Sequence, residues 1–185
     1  MEKAKTDEVE VAKKEIEERE EKKKTPVFLK SFCNKGLQGI TFGVMEGIVM
    51  ALGLIAGLSV TQDRTIILLG LVVSGLADSL ANSAGFHISE ETESYHTKSE
   101  VYASTIFTFM ATFFAFVIIG IPVLIFEPAQ LLFISGILAA LILIVLGYIV
   151  GKIKGSDYRR IILEYLIIAA ITTTVCYYLG GLVYS

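Results

Sequence analysis

Five blocks of apolar sequence, at about residues 37–60, 65–88, 101–126, 130–151 and 160–184, constrain this chain more than any other feature. About 20 apolar residues in a helix cross the hydrocarbon core of a bilayer, and each block reaches that length. Inside hydrocarbon every backbone N–H and C=O needs a partner, and a helix supplies one within its own segment. The blocks therefore predict an all-α, polytopic membrane protein with five transmembrane helices. Composition agrees, because 54% of the 185 residues are hydrophobic and the mean hydropathy is +0.66. Those residues come in long runs rather than in the periodic pattern of a soluble amphipathic bundle.

Ahead of the first block lies a charged tail. Residues 1–24 hold eight Lys/Arg and nine Asp/Glu, with opposite charges at i,i+4 (Glu10/Lys14, Glu18/Lys22) that favour an exposed helix. Val9 and Ile16 do not extend into an apolar stripe, so a solvated, partly helical tail is expected over a docking helix. Residues 1–30 are read as this tail and 31–185 as the five-helix domain. No short apolar core with a small-residue cleavage site stands in the tail, so targeting is expected to rest on the first span. Cys33 and Cys176 fall near opposite membrane faces and belong to no CxxC pair, so no disulfide is expected between them.

Loop charge sets the orientation. Lys22, Lys23, Lys24, Lys30 and Lys35 precede the first span, and Lys152, Lys154, Arg159 and Arg160 occupy the last loop. The TQDR break has only Arg64, and FEPAQ has no basic residue. The positive-inside rule then places the N-terminus and the loops at 89–100 and 152–160 in the cytoplasm and the C-terminus outside, in a multi-pass protein of the cell membrane.

The chemistry lies in the first two spans. Glu46 sits inside FGVMEGIVMALG, where an ionised group costs at least about 2.5–3.5 kcal/mol at bilayer depth. At about 100° per residue, Gly39, Gly43, Gly53, Gly57 and Met50 share its stripe. Small-xxx-small spacing by itself serves close helix packing. A carboxylate in the same stripe directs it toward protein or a watery path. Met50 adds a thioether, which is either packing filler or a soft ligand for a transition metal. The second span has a polar stripe of Ser74, Asp78, Asn82 and Ser89, with Gly75 and Gly85. Ser and Asn can be interhelical glue, but Asp78 exceeds that need and favours a hydrophilic path. Glu46 and Asp78 on adjacent helices are expected to share a divalent cation or exchange it for protons. His87 lies on the opposite side of its helix from Asp78.

In the loop SEETESYHTKSE, Glu90, Glu93, His96 and Glu100 form an acidic cluster with one imidazole, which is either a solvated loop or a capture site for a divalent ion. No phosphate loop, HExxH or Ser/His/Asp set is present, so no enzyme is expected and no resident cofactor. Nothing suggests nucleic-acid binding.

The run FGVMEGIVMALGLIAGLS resembles the first helix of the vacuolar iron transporter family, which includes yeast vacuolar iron/manganese transporters and plant nodulin-like members. The family's Gly-x-x-Asp-Gly reads Gly43-Val44-Met45-Glu46-Gly47 here, and its Ala-Gly-Leu ending reads Ala56-Gly57-Leu58. Gly75-Leu76-Ala77-Asp78 and Gly85-Phe86-His87-Ile88-Ser89 are similar to the opening and exit of its second helix. The resemblance implies a homodimer through the first transmembrane helix, exporting Fe²⁺ or Mn²⁺ from the cytoplasm in exchange for protons. Glu46 stands in place of the family's pathway Asp. The second-helix methionine is missing from LANSAG, and a twelve-residue acidic loop replaces the long Glu-rich cytoplasmic domain. The implied metal residues are Glu46, Met50, Asp78 and Asn82 in the path, with Glu90, Glu93, His96 and Glu100 at the entrance. The other readings are a transporter of another cation and a membrane scaffold that recruits a partner through its tail.

Overall fold

The computed structural model describes residues 36–92 and 98–185. Among these, five helices are each long and apolar enough to cross a membrane: α1 (Gly36–Ser59), α2 (Arg64–Thr92), α3 (Lys98–Ile125), α4 (Pro128–Lys154) and α5 (Tyr158–Tyr184). They contain 24 to 29 residues, or roughly 36–44 Å of helix, and no strand is present among the described residues. The all-helical, five-span architecture expected from the sequence is the one observed. The charged tail and Cys33 lie outside the described residues.

The turns follow local chemistry. Gln62 takes a positive φ of 55° between α1 and α2. Asp63 Oδ1 then caps α2 by accepting from the N–H groups of Thr65 and Ile66 at 2.8 and 3.3 Å. Pro128 opens α4, where its missing N–H costs nothing. Arg64 Nη2 donates to the Phe126 carbonyl at 2.9 Å and ties the α1–α2 turn to the α3–α4 turn at one end of the bundle. At the other end, Gly155 closes α4 in the left-handed conformation (φ 64°) that glycine adopts without Cβ strain. Asp157 caps α5 by accepting from Arg159 N–H at 3.0 Å.

Where the sequence suggests an acidic loop over 89–100, the helices are longer. α2 continues to Thr92, and α3 begins at Lys98 and runs through Pro122 without a break. The glutamates are good helix formers, and Glu100 sits in the first turn of α3, where the helix dipole favours a carboxylate.

Helix α3 organises the packing. Ser104, Thr108 and Thr112, four residues apart, are fully buried. Each hydroxyl donates to its own helix: Ser104 to Val101 O (2.9 Å), Thr108 to Ser104 O (2.8 Å) and Thr112 to Thr108 O (2.9 Å). Polarity is thus satisfied locally, which leaves a narrow ridge. Gly39, Gly43 and Gly47 of α1 lie directly on it. A Cβ at each would stand 2.5, 2.6 and 2.6 Å from the carbonyl oxygens of Ser104, Thr108 and Thr112. Ala51 and Ile55 continue that ridge of α1 as buried residues. These glycines of the first helix are therefore occupied by α3 of the same chain. The physical reason is the step of four on both helices, which lets two backbones approach wherever side chains are small.

Helix α2 packs on α3 in the same manner, with Leu71, Gly75, Ser79 and Ser83 buried along one ridge and Gly75 set against the Phe116 ring. Helices α4 and α5 form a hairpin closed at Gly147 against Ile162 and at Gly151 against Tyr158. Half of α1 is buried against 6% of α5. The central helix is the one that carries Glu46.

Candidate functional site

The α1–α2 register is fixed at two points. The rings of Phe42 and Phe86 meet in a tilted arrangement at 5.5 Å between centroids, and Leu58 fills the space beside Gly70. Between these points the same antiparallel offset sets Glu46 level with Asn82 and Met50 level with Asp78. Glu46 and Asp78 lie close enough for their charges to interact, and the Asn82 amide lies beside the Asp78 carboxylate. That amide closes no hydrogen bond of good geometry. Asp78 Oδ2 and Asn82 Nδ2 are both buried and find no partner among the described residues. A buried polar atom without a partner costs about 1–3 kcal/mol; the carboxylate oxygen is an acceptor that a cation or proton would satisfy, whereas the amide nitrogen is a donor that calls for an acceptor.

The three side chains expected to meet, Glu46, Asp78 and Asn82, are brought together. Met50 stands one turn beyond Glu46 and is 38% exposed. It lines a groove of about 480 Å³ between α1 and α5 together with Gly53 and Cys176. Gly75, read with the polar stripe, instead faces α3, and Ser79 and Ser83 are buried on the same side of α2. The hydroxyls of Ser79 and Ser83 donate to Gly75 O and Leu80 O.

At the other end of α2, His87 turns away from Asp78 as its position on the helix requires. Thr105 spends its hydroxyl proton on Val101 O (2.8 Å). The contact of 2.9 Å between Thr105 Oγ1 and His87 Nδ1 therefore has the imidazole N–H as donor. His87 Nε2 faces Glu91 at 3.5 Å. Glu90 and Glu100 are helical and buried, at 3% and 5% exposure, and so do not stand in a solvated loop. Glu93 and His96 lie outside the described residues. Among the described residues no group of three or more His, Cys, Asp or Glu comes together to hold a metal ion. The Ser104/Thr108/Thr112 ridge and the approach of Gly180 to the Gly57 carbonyl were not singled out from the sequence. Their signal was present in the step-of-four spacing of small residues.

Fold and site together define a helical bundle compatible with a multi-pass membrane protein, with an acid pair and an amide held between its first two helices. Comparison of the chain with protein-family models and with curated proteins returns no match.

Proposed function

We propose that the protein exports a divalent transition metal, Fe²⁺ or Mn²⁺, from the cytoplasm in exchange for protons. The observation that supports this most is the meeting of Glu46, Asp78 and Asn82 within spans of low dielectric. Two carboxylates there neutralise a divalent charge, and protonation of either weakens its hold on the ion. The pair supplies only oxygen donors, with the Met50 thioether one turn away, so a borderline-hard ion such as Mn²⁺ suits it at least as well as Fe²⁺. In this reading the basic end of the bundle faces the cytoplasm. A homodimer through α1 remains part of the proposal, with contact by a part of α1 other than the glycine ridge. The likeness of FGVMEGIVMALG to the vacuolar iron transporter family supports the same direction of transport.

The test is flux into liposomes carrying an internal metal-sensitive dye, under an imposed pH gradient. Wild type should accumulate Fe²⁺ or Mn²⁺, and Glu46→Gln should lose gradient-dependent uptake. Wild type without gradient-dependent flux refutes transport of these metals. Equal flux in both proteins removes Glu46 from the mechanism.

A further inference from the structure

At the basic end of the bundle, a cleft of about 720 Å³ opens between α1 and α4, with Tyr165 of α5 also lining it. Its lining is amphipathic. Gln38, Thr41, Lys154 and Tyr165 supply the polar part, and Phe42, Met45 and Ile153 belong to the apolar part. The α1 side runs from Leu37 to Met45, roughly 12 Å of helix. Lys154 is the one cation of this lining, and no acid lines the cleft among the described residues.

The neighbouring cations are committed elsewhere. Arg160 pairs with Glu164 at 2.9 Å, Lys152 lies over the Tyr148 ring at 5.7 Å, and Arg159 lies over the Tyr158 ring at 5.9 Å. Asp157 is spent on the α5 cap. Lys154 therefore presents a charge without a counter-ion among the described residues, at the mouth of a partly apolar cleft and at the level where α4 ends.

We propose that this cleft seats an anionic phospholipid, with the headgroup phosphate at Lys154 and the first part of an acyl chain along Phe42 and Met45. A free phosphate would use Lys154 but gain nothing from the apolar wall, whereas a lipid at a bilayer surface uses both. The site is independent of the acid pair and of any transport.

The experiment uses the full chain in detergent, with bound lipid read by native mass spectrometry after addition of phosphatidylglycerol or phosphatidylcholine in equal amounts. Phosphatidylglycerol should be retained over phosphatidylcholine. Lys154→Gln should lower its retention about fivefold, the loss expected for one cation near an anionic surface. Lys152→Gln, which removes the same charge outside the cleft, should leave retention unchanged. Both lysines are exposed, so neither change threatens the fold. Equal retention of the two lipids, or equal loss in the two variants, overturns the site. Displacement of phosphatidylglycerol by millimolar inorganic phosphate shows a free-anion site and overturns the lipid assignment.

Discussion

Replacing Gly43 with alanine adds one methyl group where α1 and α3 leave no room for it. The new Cβ would stand 2.6 Å from the Thr108 carbonyl oxygen and 2.9 Å from the Ala111 Cβ, about 0.8 Å short of ordinary contact at the oxygen. The obstruction is backbone, so no rotamer change relieves it and the helices have to separate. Overpacking of this kind costs about 1–3 kcal/mol, while a helical Gly→Ala change returns about 0.5–1 kcal/mol. The expected net loss is about 0–2.5 kcal/mol at Gly43, and the same at Gly47. Gly85 and Gly136 have no atom within 4 Å of an added Cβ, so alanine there should gain about 0.5–1 kcal/mol. Reversible unfolding in mixed micelles by SDS titration, followed by circular dichroism, measures all four variants on one scale. If Gly43→Ala and Gly85→Ala unfold together, the close α1–α3 approach is wrong. If Gly43→Ala instead dissociates a dimer while leaving protomer stability intact, the ridge serves a second copy and not α3.

Asp78→Asn removes a buried charge whose Oδ2 has no partner, so the variant should be more stable than wild type without metal. Wild type should gain about 2.7 kcal/mol when Mn²⁺ reaches a hundredfold excess over its Kd, and the variant should gain little; thermal unfolding with and without Mn²⁺ reads both. Arg64→Met removes the bond to the Phe126 carbonyl and should cost about 1–2 kcal/mol in the same SDS titration. Gly180→Ala forces a Cβ against the Gly57 carbonyl and should detach α5 from α1, seen as faster alkylation of Cys176. His87→Ala should cost about 1 kcal/mol through the Thr105 bond and leave metal flux unchanged, because the ring faces α3.

The five spans were legible because length and hydropathy depend on local sequence alone. So was the meeting of Glu46 with Asp78, since the short break at TQDR forces α1 and α2 to be neighbours. Angular position on a helix tells which residues share a face, but not which helix that face meets. That is why Gly39, Gly43 and Gly47 were readable as a packing stripe while α3 as their partner was not. The small ridge at Ser104, Thr108 and Thr112 carries hydroxyls, so in sequence it resembles a polar feature; only its bonds to its own backbone make it a smooth surface. The ends of α2 and α3 were misplaced because SEETE suits a solvated loop and a helix terminus equally well.

The central position of α1 also has a consequence for biosynthesis. Its glycine ridge meets α3 residues about 65 positions later in the chain, and Gly57 meets Gly180 after 123 more residues. At about 5–20 residues per second, α1 waits roughly 3–13 seconds after synthesis before the α3 ridge exists, and longer for α5. During that interval Glu46 has only α2 to shield it. Helix α1 is thus made well ahead of the helices that bury its glycines, and Asp78 and Asn82 reach it before any of them.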